Sequence, residues 1–313
     1  MDPVLVACFC VTGRHPKPLD NDQIDNFLER HRLPDDFRLL VADHYKPLVA
    51  WLVDERRSSD SFFLGINGAQ GTGKSTLADF FRVALESDYG WRAAVLSIDD
   101  FYLTRAEREA LARCVHPLLK TRGVPGTHDL RMLLDCLDRL KHLAAGREAK
   151  LPRFDKSMDD RADPSNWPNV TGPLDVIILE GWCVGSIAQS SEELSRPVNT
   201  LERDEDPTGA WRSFVNRNLQ RYTATVFAQL DALVFLKAPS FDAVYRWRLE
   251  QERKLAAVSP PGSAGIMDQR QLSRFMQFYE RLTRANLASL AESADVVLDL
   301  DDNHGCSSSR FRR

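Results

Sequence analysis

Three short stretches hold side chains whose types and spacing can do chemistry on a phosphate. The first is GAQGTGKST, residues 68–76, which fits the pattern G-x-x-x-x-G-K-[ST]. Small residues let backbone N–H groups curl around phosphate oxygens, and the helix that follows adds the positive end of its dipole. The nucleotide-binding candidates are therefore Gly68, Ala69, Gln70, Gly71, Thr72, Gly73, Lys74, Ser75 and Thr76. Lys74 is placed to reach the β- and γ-phosphates of ATP, and the Ser75 hydroxyl to ligate Mg²⁺. The second stretch, SIDDFYLT at 97–104, ends an apolar run with two adjacent carboxylates, Asp99 and Asp100. The third, ILEGW at 178–182, puts Glu180 where such a fold organises Mg²⁺ or its water shell. Each carboxylate also has a plainer reading, as a solvated turn residue. An N-K-x-D base-reading motif and an L-S-G-G-Q signature are both missing, which sets aside GTPases and transport ATPases.

The elements that must position these residues are legible in outline. Five apolar runs of strand length, FFLGIN, AAVLSI, DVIILE, ALVFLK and DVVLDL, lack strict alternation, as strands buried on both faces of a parallel sheet do. Helical patterns separate them. STLADFFRVALESDYG stops at Gly90, and THDLRMLLDCLDRLKHLAAG takes Thr127 as its N-cap with Gly146 past its end. Residues 20 to 55 also read as helical, with Pro47 kinking that stretch or opening a new helix. Strands alternating with helices predict a doubly wound α/β domain. SPPGSAG, residues 259–265, reads as a mobile loop, and HGCSSSRFRR at the end as a loose tail.

At 313 residues the chain is long enough to bury a sizeable core, and its net charge of -4 gives no electrostatic case for nucleic acid or an anionic membrane. No apolar run reaches the roughly 18 residues of a spanning helix. The apolar start, MDPVLVACFCV, lacks a basic n-region and reads as a frayed terminus or a short packing strand. Six cysteines are too sparse for a disulfide scaffold, and Cys8 and Cys10 lack partners for a zinc site. Free or buried thiols in a reducing cytoplasm follow.

With these three stretches in this order, the chain resembles the P-loop kinases of small hydroxylated metabolites, the group of uridine kinase, phosphoribulokinase and pantothenate kinase. Within it the closer resemblance is to D-glycerate 3-kinases of the plant and fungal type and their bacterial relatives. It is carried by SIDDFYLT, RGVPGTHDL (122–130), RFDKSMDDRADPSNWP (153–168), ILEGWCVG and YRWRLEQE, and runs from about Tyr45 to about Leu300. The resemblance implies a P-loop kinase fold: a five-stranded parallel sheet with helices on both faces, an N-terminal helical extension and a helical lid. It implies that Asp99, the first Asp of the D-x-F/Y segment, acts as base toward the acceptor hydroxyl, with Asp100 at the variable position. It also aligns Glu180 and Gly181 with the Glu-Gly that ends the third strand, and selects Arg248 as the lid arginine on the transferring phosphate. The chain departs from the pattern between DKS and DRAD, where a Gly-containing insertion is reduced to Met158–Asp159.

The expected activity is ATP-dependent phosphorylation of a hydroxyl of D-glycerate or a similar small hydroxy acid. A nucleoside, a sugar phosphate or pantothenate is the alternative acceptor, and a nucleotide-binding regulator without turnover the alternative class. An acid acceptor needs cations and donors beside the base, and the candidates are Arg122, Thr127, His128, Lys156 and Arg161, with Asp155 accepting from substrate hydroxyls. His128 can equally sit in the first turn of a helix, Asp129 can serve only the helix dipole, and the run Asp155–Asp163 can be a solvated loop. Phe101 and Tyr102 read equally as wall packing or substrate contacts; Tyr279 and Arg281 could reach the site but read first as core packing and solvation, and Arg246 and Arg253 as a solvated face. The expected organisation is a helical extension over 1–60, a kinase domain over 61–303 with its lid at about 240–266, and a disordered tail over 304–313. No membrane or nucleic-acid partner is expected, and the oligomeric state is left open.

Overall fold

The computed structural model describes residues 18–258 and 267–312. Six strands form the main sheet: β1 (Phe62–Gly68), β2 (Ala93–Ser97), β3 (Val176–Gly181), β4 (Ala232–Lys237), β5 (Val296–Leu300) and β6 (Cys306–Phe311). Their order is β6-β5-β4-β1-β3-β2. The five apolar runs are all parallel, β1 lying between β3 and β4. Every residue of β1 and β3 is buried, which explains why they read as continuous apolar runs. Alternate side chains of β1 serve opposite layers. Phe62, Leu64 and Ile66 join the core under the N-terminal helices, the helix Lys74–Tyr89 and the helix Phe241–Val258. Phe63 joins the core under the helices Leu130–Lys141 and Ala210–Thr225.

Of the residues 20–55 read as helical, most are so. Asp20 and Gln23 close a capping box on the helix Asn21–His31. Farther on, the chain passes through a π-turn at Val41–Tyr45 into the helix Lys46–Glu55, with Pro47 in its first turn. Pro47 thus opens a helix rather than kinking one, where its missing N–H costs least. Among the described residues no helix is long and apolar enough to cross a membrane.

The tail is the main correction. Residues 306–311 are not loose: they pair antiparallel with β5, Cys306 opposite Leu300 and Phe311 opposite Val296. Asp301 builds the turn by accepting from the backbone N–H of Asn303 (2.8 Å) and Gly305 (2.9 Å). An edge strand needs only backbone pairing on one side, so the serines of CSSSRF can form one without an apolar face. The N-terminal apolar stretch, with Cys8 and Cys10, and the SPPGSAG loop lie outside the described residues.

Candidate active site

At the carboxyl end of β1 the chain turns into the phosphate loop. Gly73 stands at the N-cap of the helix Lys74–Tyr89 with φ 84, a left-handed conformation that a side chain would resist. No side chain caps this helix, so its first-turn N–H groups stay available for phosphate oxygens. Ser75 Oγ, in the first turn of this helix, donates to Glu180 Oε1 at 3.1 Å. Glu180 reaches it from the end of β3, beside β1 in the sheet. Its other oxygen, Oε2, is buried without a hydrogen-bond partner. A hydroxyl and a buried carboxylate with an open lone pair are a donor set that suits Mg²⁺, which takes few protein ligands and keeps its waters and phosphates.

β2 ends at Ser97, and Asp99 and Asp100 lie in the single 3₁₀ turn Ile98–Phe101 that follows. Their different directions therefore come from a helical turn, not from strand alternation. Asp99 Oδ2 takes a hydrogen bond from Lys156 Nζ at 2.8 Å, and Oδ1 takes one from Tyr102 OH at 2.6 Å. Burial pushes the carboxyl up, but the charge and hydrogen bond of Lys156, the Tyr102 hydroxyl and the Lys74 charge outweigh it and hold it down at about 2. Asp100 takes different partners, accepting from Arg153 Nη1 and from the Phe154 N–H, both at 3.1 Å. It anchors the small hairpin in which Phe154 pairs with Arg161 and Asp155 with Asp160. Burial, only partly offset by Arg153, raises its pKa.

One cavity of about 660 Å³ joins these groups. Gln70, Gly71, Gly73, Lys74, Ser75 and Thr76 line its phosphate end, with Glu180 beside them. Asp99, Asp100, Tyr102, Lys156 and Arg122 line the other end, and Arg248 closes over from the helix Phe241–Val258. That helix is capped by Ser240, whose Oγ accepts from Ala243 N at 3.1 Å. Arg248 pairs with the buried Glu252 on the same helix, its guanidinium 6.0 Å from the Phe275 ring centroid.

No profile of a known protein family matches the chain. Individual proteins do. Over 282 residues it is 34% identical to the chloroplastic D-glycerate 3-kinase of Arabidopsis thaliana, covering 82% of this chain and 58% of that protein's length. An uncharacterized kinase of Schizosaccharomyces pombe, mug58, is 38% identical over 63% of this chain and 72% of its own. The solved D-glycerate 3-kinase of Cryptococcus neoformans superposes with a TM-score of 0.71 at 26% identity, covering 86% of this chain and 99% of that one. The chain belongs to one family of P-loop kinases with mug58, and over most of its length it is similar to D-glycerate 3-kinases.

In this family member the cavity does not gather every residue singled out above. Gly68, Ala69 and Thr72 shape the loop from beneath; Thr72 Oγ1 donates to the Ala69 carbonyl at 2.9 Å. Thr127 is fully buried and caps no helix: it donates to Val124 O (2.7 Å) and accepts from Gly123 N (3.0 Å). The cap of the helix Leu130–Lys141 is Asp129, two residues on, which accepts from Met132 N. His128 stacks on Tyr102 and its Nδ1 lies 3.0 Å from Tyr222 OH, behind the cavity wall. Burial pulls its pKa down to about 4. Asp155 turns outward to accept from Ser157 and Met158. Arg161 pairs with Asp129 at 3.0 Å and lines a separate groove beside Trp167. Arg281 lies away from the cavity, bound to Glu202, and Arg246 pairs with Asp302.

Three aromatic residues also line the cavity: Tyr279, read first as core, together with Trp182 and Phe275. Trp182 and Tyr279 meet edge to face at 4.8 Å, and Phe275 continues this aromatic wall toward Arg248. Tyr279 packs over Gly123, where a Cβ would collide with its ring, and donates to the Arg122 carbonyl at 3.3 Å. Outside the cavity lining, the turn before β6 places His304 Nδ1 3.1 Å from the Gly71 carbonyl, with its ring stacked on Trp247.

Proposed function

We propose that the chain transfers the γ-phosphoryl group of ATP to the 3-hydroxyl of D-glycerate. The observation that carries this reading is the placement of Asp99: a carboxylate held ionised by Lys156, in the same cavity as Lys74 and the Ser75–Glu180 pair. Ionised, Asp99 can take the proton of an acceptor hydroxyl as its oxygen bonds to the γ-phosphorus and the bond to the β,γ-bridging oxygen breaks, releasing ADP. Lys74 and the loop N–H groups hold the phosphates, and Arg248 meets the charge on the transferring group. Ser75 and Glu180 would hold Mg²⁺, which would supply positive charge against the phosphates when bound.

Arg122 favours an acidic acceptor, because it brings to the cavity a cation that a carboxylate can meet, whereas Lys156 is already balanced by Asp99. The names of the plant and Cryptococcus relatives point to the same acceptor. Among the described residues Cys114, Cys136, Cys183 and Cys306 carry free thiols, which fit a reducing compartment such as the cytoplasm. The test is ADP release measured over a panel of D-glycerate, L-glycerate, glycerol, uridine and pantothenate. D-glycerate should stimulate release far above the rate with ATP alone. Turnover of uridine or pantothenate without turnover of D-glycerate contradicts the proposal.

A further inference from the structure

Arg122 reaches the acceptor end of the cavity tethered from behind. Its Nη1 pairs with the carboxylate of Asp159, and Nη2 of a second arginine, Arg108, stands 2.9 Å from the same oxygen. Arg108 is 1% exposed, a rare setting for an arginine. Its donors are committed to the backbone: Nε to Leu103 O at 3.2 Å, Nη1 to Lys120 O and Nη2 to Asp159 O, both at 2.8 Å. Asp159 itself has φ 54, so the chain reverses there and brings its carboxylate back over the two guanidinium groups. Neither nucleotide binding nor proton removal by Asp99 needs these contacts. They occur in the loop that is shortened to Met158–Asp159.

The charges decide what the arrangement is for. A guanidinium keeps its proton even when buried, so Arg108 and Asp159 cancel each other. Arg122 is then held by a neutral anchor and presents an uncancelled positive charge to the cavity. Lys156 differs, since Asp99 already balances it. The Phe154 ring, 5.6 Å from the Arg122 guanidinium, fixes that group from a second side.

We infer that Asp159, clamped by Arg108, is a positioning residue that aims Arg122 at the carboxylate of the acceptor. The inference rests on the hydroxy-acid reading above. It separates two roles among the cations: Arg122 grips the acid, while Lys156 serves the base. Acceptor affinity therefore depends on a residue that touches neither substrate.

Steady-state kinetics of the full chain test it with two variants. Asp159→Gly removes the carboxylate and keeps the left-handed backbone without strain. It should raise KM for D-glycerate about tenfold while kcat at saturating acceptor and KM for ATP stay within about twofold. Asp159→Asn keeps an oxygen for the two arginines and should recover most of the loss. An unchanged KM for D-glycerate in Asp159→Gly overturns the inference. So does a lower one, which would mean that Asp159 occupies the place of the acceptor carboxylate. A joint loss of kcat and of ATP affinity also overturns it, as general damage to the loop. If the wild type fails to turn over D-glycerate, the underlying reading falls, and that is seen before any variant is made.

Discussion

Lys156 Nζ stands 2.8 Å from Asp99 Oδ2, so the proposed base is paired with a cation across 57 residues of chain. The lysine arrives on the hairpin that Asp100 anchors through Arg153 and Phe154. The two adjacent carboxylates therefore cooperate: one is a candidate for chemistry, and the other builds the loop that carries its partner.

Removing that partner should move the acid limb of activity. A base works only when deprotonated, and Asp99 sits at about 2 because Lys156, Tyr102 and Lys74 outweigh its burial. In Lys156→Met the burial is opposed by less, so the pKa rises and activity is lost at a higher pH on the acid side. The profile of kcat/KM against pH, compared between wild type and variant, reads this directly. Superimposable acid limbs would mean that Lys156 does not set the base.

His128 should make the fold sensitive to mild acid. Its folded pKa, lowered by burial from 6.5 to about 4, lies below the unfolded value. The unfolded chain takes up a proton as the pH falls below 6.5 and the folded chain does not until about 4. Stability is thus fully present above 6.5 and lost progressively down to about 4, by at most about 3 kcal/mol at roughly 1.4 kcal/mol per unit. Denaturant unfolding of wild type and His128→Asn across this window should show a steeper fall in the wild type. Equal slopes would place the acid sensitivity elsewhere.

The Ser75–Glu180 pair predicts a metal phenotype. Glu180→Gln keeps the shape and removes the charge, so half-maximal activity should need roughly tenfold more Mg²⁺ at fixed ATP. A titration curve unchanged from wild type would return Glu180 to a structural role beside the phosphate loop.

Arg248 is bound to Glu252, which is only 3% exposed, and a single substitution mixes two effects. Arg248→Ala should lower kcat roughly 10²-fold with little change in ATP affinity, and should also lower Tm by stranding a buried carboxylate. Adding Glu252→Gln should recover Tm and leave kcat low. Recovery of both would make Arg248 a stabilising residue alone.

The sequence was legible where one local pattern decides the outcome. The phosphate loop, the five parallel strands and the helix after Gly73 each depend on neighbouring residues; β2, at the sheet edge, is buried only at alternate residues. It was less legible where identical side chains compete for one role. Arg122 and Arg161 sit in equally polar runs, and only the fold sends the first to the cavity and the second to Asp129. The aromatic wall escaped for a similar reason. Tyr279 meets Arg122 across 157 residues, and its helical spacing reads as core. β6 escaped because edge pairing is a property of the backbone, which a run of serines does not advertise.

The central claim is that Asp99 takes the proton of the acceptor hydroxyl. It is tested most directly by comparing Asp99→Asn with Asp100→Asn at saturating ATP and D-glycerate, after circular dichroism shows both folded. Asp99→Asn should lose about 10²- to 10⁴-fold in kcat while still binding ATP. Asp100→Asn should lose far less, chiefly through a higher KM for the acceptor as its hairpin loosens. A nearly normal Asp99→Asn beside an inactive Asp100→Asn would contradict the assignment.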